Sequence, residues 1–117
     1  MADLDRTLED LRGHPGVEHV LILGRDGLLV RHLGSDPLDG DTVSAMAPGI
    51  AATAGQFGDA SGLGDFSTAV VELERGVAVV LALSDELLLA LLLRPGVGFA
   101  PLLTRVRRDR EVLAAAV

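Results

Sequence analysis

The spacing of apolar positions changes several times along the chain, and each change marks an element. Leu4, Leu8 and Leu11 recur at i, i+4 and i+7 with Asp5, Arg6, Glu9, Asp10 and Arg12 on the other face. That spacing is an amphipathic helix, which Asp3 can cap and Gly13-His14-Pro15-Gly16 ends. The apolar run 20–23 is followed by Gly24-Arg25-Asp26-Gly27 and then Leu28-Leu29-Val30. This reads as a β-hairpin with Asp26 and Gly27 in the positive-φ positions of its turn.

Residues 34–40 have loop composition, and Asp39 or Asp41 offers the next helix cap. Val43, Met46, Ala47, Ile50, Ala51, Ala54 and Phe57 then fall at helical spacing over 42–58. Pro48 lies in the second turn of this helix and should bend it, because it removes a hydrogen bond. After a glycine-rich loop at 58–65 come three strand-like runs, 66–74, 77–83 and 87–93, separated by Arg75-Gly76 and Ser84-Asp85-Glu86. Connections this short make neighbours antiparallel. The run 87–93 has no polar alternation, which places it mid-sheet with both faces covered. A last helix, with Pro101 near its start, carries Phe99, Leu102, Leu103, Val106 and Leu113 on one side. The order is α-β-β-α-β-β-β-α, a single α+β domain over 1–117 with a five-stranded antiparallel sheet flanked by helices.

Composition narrows the chemistry. A chain of 117 residues and 12.2 kDa folds to a surface of about 6,100 Å², enough for one ordinary core. Its ten basic residues are all arginine, against seventeen acids, for a net charge of −7. Without lysine there is neither a phosphate-loop lysine nor Schiff-base chemistry, and without cysteine neither a disulfide nor a thiolate. The acidic balance, with Phe57, Phe66 and Phe99 as the only Phe, Tyr or Trp, argues against nucleic acid as a partner. Neither 42–58 nor 77–93 is a continuous apolar span, since Pro48 and Gly49 interrupt one and Ser84-Asp85-Glu86 the other, so no membrane insertion is expected. The opening Met1-Ala2-Asp3-Leu4-Asp5 does not read as a secretory signal, and a cytoplasmic protein is expected.

No set of residues reads as catalytic. His19 and His32 share a sheet face if the hairpin loop has two residues and are separated by a three-residue bulged loop; either way they read as surface histidines rather than zinc ligands. Asp36-Pro37-Leu38-Asp39-Gly40-Asp41 lacks the ligand spacing of a calcium loop and reads as a turn and helix cap. Gly96-Val97-Gly98 is too little for an anion site. Arg105, Arg107, Arg108 and Arg110 alternate with Asp109 and Glu111, as on a solvated helix face. No cofactor or metal is expected.

What remains is a surface. Asp36, Asp39, Asp41, Asp59 and Asp65 surround the segment 42–58, which itself carries no charge. The segment reads either as an Ala-, Thr- and Ser-rich helix that happens to lack charge or as an interface, and charge depletion beside small residues favours the interface. The expected contact residues are Val43, Met46, Ala47, Ile50, Thr53, Ala54 and Phe57 of the helix, with Ser67, Ala69 and Val71 of the run 66–74.

The ordered series, from Pro15-Gly16-Val17 through Arg25-Asp26-Gly27-Leu28-Leu29-Val30 and the alanine-rich second helix to Asp85-Glu86-Leu87-Leu88, resembles the Roadblock family. That family includes dynein light-chain Roadblock and the bacterial gliding regulator MglB. The resemblance implies an α-β-α sandwich related to profilin, with the second helix on one sheet face and the terminal helices on the other. It also implies homodimers in which edge strands (here 66–74) pair and second helices (here 43–57) pack together. Bacterial relatives are expected to bind small Ras-like GTPases and regulate their nucleotide cycle, as GTPase-activating proteins in bacterial signalling, without supplying a catalytic arginine. The alternatives are a profilin-like or PAS-like small-molecule sensor and a scaffold subunit with no GTPase contact.

Overall fold

The computed structural model describes residues 2–34 and 37–117, so Ser35 and Asp36, part of the expected 34–40 loop and calcium-like run, lie outside the described residues. Helix α1 (Ala2–Arg12) buries Leu4, Leu8 and Leu11. Its first residue is Ala2, which puts Asp3 inside the helix, while the Asp3 side chain, the expected cap, lies outside what is described.

Strands β1 (Val17–Gly24) and β2 (Leu29–Gly34) form the expected hairpin, but the turn differs. Gly24 N–H donates to the Leu28 carbonyl and Gly27 N–H to that of Gly24, each at 2.9 Å, which makes a three-residue loop, Arg25-Asp26-Gly27. Only Gly27 has positive φ, at 87°, while Asp26 Oδ1 accepts from Leu28 N–H at 3.1 Å. The register then slips again between Ile22↔Arg31 and Leu23↔Leu29, leaving Val30 as the extra residue. The two irregularities cancel in parity. His32 stands opposite Leu21, and His19 and His32 share a face despite the three-residue loop.

Helix α2 (Gly40–Ser61) starts two residues earlier and ends three later than the spacing indicates. Asp39 caps it, accepting from Thr42 N–H at 3.1 Å and Thr42 Oγ1–H at 2.6 Å, and Gly62 closes it at φ 75°. With this start Pro48 falls in the third turn, and the helix runs on through it. The meander β3 (Thr68–Leu73), β4 (Gly76–Ala82) and β5 (Leu87–Leu93) follows. The β3–β4 turn is Glu74-Arg75, one residue before the expected break, because Gly76 already pairs with Leu73. A side chain at Gly76 would press on the Leu93 carbonyl, so this strand start requires glycine. At the β4–β5 turn Ser84 Oγ accepts from Glu86 and Leu87 N–H at 3.3 and 3.1 Å.

The expected single last helix is divided into α3 (Ala100–Arg108) and α4 (Arg110–Ala116). The division falls at Asp109, whose carboxylate lies 3.8 Å from Arg105 and 3.3 Å from Arg108. Leu102, Val106 and Leu113 are nonetheless fully buried on one side.

The antiparallel sheet has the order β2-β1-β5-β4-β3. One core lies between the sheet and α1, α3 and α4, formed by residues such as Leu8, Val20, Ile22, Leu81, Leu89, Leu91 and Leu102. A smaller one lies under α2, formed by Leu21, Leu23, Ala47, Ala51, Val80, Leu88 and Ala90. Central β5 feeds both, which is why its run shows no alternation. Among the described residues no helix is long and apolar enough to cross a membrane.

Candidate functional site

The uncharged stretch of α2 has two faces. Ser44, Ala47 and Ala51 are buried, the two alanines against the sheet, and Gly58 is buried under the backbone of Gly64. On the other side Met46, Gly49, Ile50, Thr53, Ala54 and Phe57 recur every three or four residues and line a shallow, mostly apolar groove of about 750 Å³. Met46 and Phe57 are 69% and 68% exposed, which for large apolar side chains is a departure from ordinary burial. Val43, Ile50 and Ala54 are half-buried, and Thr53 is exposed. Ala47 is 4% exposed and belongs to the core under α2, away from the groove, because it lies one residue round the helix from Met46. Its small side chain lets the helix approach the sheet closely.

Strand β3 forms one sheet edge and pairs only with β4, so one row of its backbone groups has no strand partner. Ala69 and Val71 stand opposite Val80 and Ala78, on the α2 side, and both are half-buried. Val70 and Leu73 are 38% and 64% exposed. Ser67 precedes the strand; its carbonyl accepts from Ala82 N–H at 2.9 Å and its Oγ from Arg110 at 3.1 Å. The structure therefore leaves an apolar face uncovered on α2 and a strand edge open in the sheet that α2 packs on.

Two features were beyond the reach of spacing. Leu28 and Val30, 68% and 48% exposed, project at the opposite edge, and no periodicity reveals exposure beside a bulge. A polar hollow of about 420 Å³ lies where Arg25, Asp59, Asp65, Asp85 and Arg110 meet above Ala51 and Ala82. It joins residues as far apart in the chain as the first hairpin and α4. Among the described residues no group of three or more His, Asp or Glu side chains converges as metal ligands.

The family model described as Roadblock/LC7 domain matches residues 3–93. Comparison with curated protein sequences gives no match. Among solved structures, gliding protein MglB from Thermus thermophilus is 22% identical, covering 97% of this chain and 87% of that chain, with a TM-score of 0.86. A structure described as MglB with tetrameric arrangement is 21% identical at 97% and 87% coverage, with a TM-score of 0.87. A Roadblock/LC7 domain from Streptomyces avermitilis is 24% identical at 97% and 92% coverage, with a TM-score of 0.77. At these identities the likeness is one of fold.

Proposed function

From the premise that the chain belongs to the Roadblock/LC7 domain family, we propose that it is a non-catalytic, cytoplasmic homodimeric regulator that binds a small Ras-like GTPase and modulates its nucleotide cycle. The observations that carry this reading are the uncharged Met46–Ile50–Thr53–Phe57 stripe of α2, with Met46, Thr53 and Phe57 exposed, and the open edge of β3. Two copies related by a two-fold axis bring the same stripe and the same edge together, so both features are covered at once. An isologous contact of this kind needs about 800 Å² from each copy. The chain exposes 6,738 Å², above the roughly 6,100 Å² that its mass implies.

The GTPase, which carries its own nucleotide and metal, would bind a surface that exists only in the dimer. Light scattering after gel filtration tests the first step. A dimer at micromolar concentration is expected, and a strict monomer overturns the reading. Ala54→Arg places a charge in the proposed helix pair and should shift the mass toward monomer; an unchanged mass excludes the packing through α2. Co-purification with GTPases of the host then tests the second step, with failure of every one to bind the dimer counting against it.

A small-molecule sensor would hold its ligand between α2 and the sheet. That space is filled by Leu21, Leu23, Val80 and Leu88, each at most 2% exposed.

A further inference from the structure

His19 on β1 and His32 on β2 face each other across the hairpin, with Nδ1 of the first 3.0 Å from Nε2 of the second and ring centroids 5.2 Å apart. His19 is 4% exposed. A β-carbon at Gly34 would collide with His19 Nδ1, so the ring lies directly over the Gly34 backbone. His32 Nδ1 lies close to Gly40, the first residue of α2. The pair therefore sits where the edge strand β2, its neighbour β1 and the start of α2 meet.

We propose that the His19–His32 pair is an acid-sensitive latch that holds the β2 edge and the first turn of α2 to the sheet, and that protonation of both rings releases them. An N–H···N bond needs one nitrogen to donate and the other to accept. The neutral pair and the singly protonated pair each satisfy this. The doubly protonated pair sets two N–H groups and two positive charges against one another in a part-buried site. The positive end of the α2 dipole, beginning at Gly40, adds to the repulsion.

The surrounding charges are mixed in sign. Glu9 and Arg12 of α1 border the same hollow as His32. Asp39 is engaged by Thr42, Asp41 is exposed in the first turn of α2, and Arg31 is paired with Asp5 at 3.1 Å. Among the described residues neither imidazole forms an ion pair with a carboxylate. Burial first, and then the charge of His19, hold His32 below the usual imidazole range. Above that range the ring is neutral folded or unfolded. As the pH falls through it the unfolded chain takes up the proton first, and stability is lost until the folded ring also protonates.

The latch is a property of the single chain and needs no partner. Imidazole NMR titration of the full chain, paired with amide hydrogen exchange corrected for intrinsic rates, tests it between pH 8 and 4.5. His32 should titrate below the usual range. Over the same interval amides of β2 and the first turn of α2 should lose protection by about tenfold per pH unit, while those of β5 hold. His32→Gln keeps an N–H donor toward His19 without a titrating charge, and should abolish the local pH dependence. Ordinary titration of His32, protection loss that is absent or uniform across the sheet, or an unchanged pH dependence in H32Q each overturns the latch. If H32Q does not fold, the wild-type exchange map decides by whether the loss is confined to β2 and α2. Light scattering on the same samples reads association separately, so a monomer that retains the latch counts against the dimer alone.

Discussion

Ser44 shows how much a single atom can matter in a small core. It lies on the buried side of α2 at 0% exposure, and its Oγ has no hydrogen-bond partner among the described residues. The hydroxyl is thus buried without a protein partner. Ser44→Ala should raise stability by about 1–2 kcal/mol, read as a higher urea midpoint with unchanged slope; a lower midpoint would show that the hydroxyl is satisfied. Asp39 acts in the opposite sense. The Thr42 hydroxyl and then the Thr42 N–H hold its carboxyl below the usual carboxylate range. Its stabilising effect is therefore complete above that range and disappears as the pH falls through the lowered value. Asp39→Ala should lower the midpoint at pH 7, and the wild-type and variant curves should converge on acidification. Parallel curves at every pH would exclude the cap as the cause.

Among the elements, β5 and β3 make the sharpest contrast. Leu88 and Leu89 are both 0% exposed although they point to opposite faces, because a helix layer covers each side. Truncating either to Ala should cost about 2–5 kcal/mol, whereas Val70→Ala on the open edge should cost far less. A large loss at only one of the two leucines would mean that one face of β5 is not packed. This two-sided burial was legible in the sequence as an apolar run without alternation, and α1 was legible in its i, i+4, i+7 leucines. The hairpin was legible only in outline. Two compensating irregularities, at Gly27 and Val30, leave the same parity as a simple two-residue turn, so residue order alone does not distinguish them. The division at Asp109 escaped for a related reason: the apolar side of the helix continues unbroken across it. Of the candidate interface residues, helical spacing grouped Ala47 with Met46. Which side of α2 meets the sheet follows from the packing of the whole layer, and that packing assigns Ala47 to the core.

For the whole molecule, the proposed association should make stability depend on protein concentration, since a dimer that binds only folded chains shifts unfolding by mass action. Thermal midpoints measured over a hundredfold range of concentration should rise for the wild type and stay flat for Ala54→Arg. Flat midpoints for both would remove the dimer as a source of stability. The strand order has a further consequence, in time rather than in energy. β1 and β5 lie side by side at the centre of the sheet, yet about three-fifths of the chain separates them, with Val17 paired to Leu93 and Gly24 to Leu87. The hairpin β1–β2 and the meander β3–β4–β5 can each close locally, but neither has a covered centre until those distant strands meet. Folding should therefore wait on this one long closure, and refolding after dilution from urea should be slow for a domain of this size. On the ribosome, β1 has no central neighbour until β5 has emerged, so the first half of the sheet spends most of its synthesis as an unsupported hairpin.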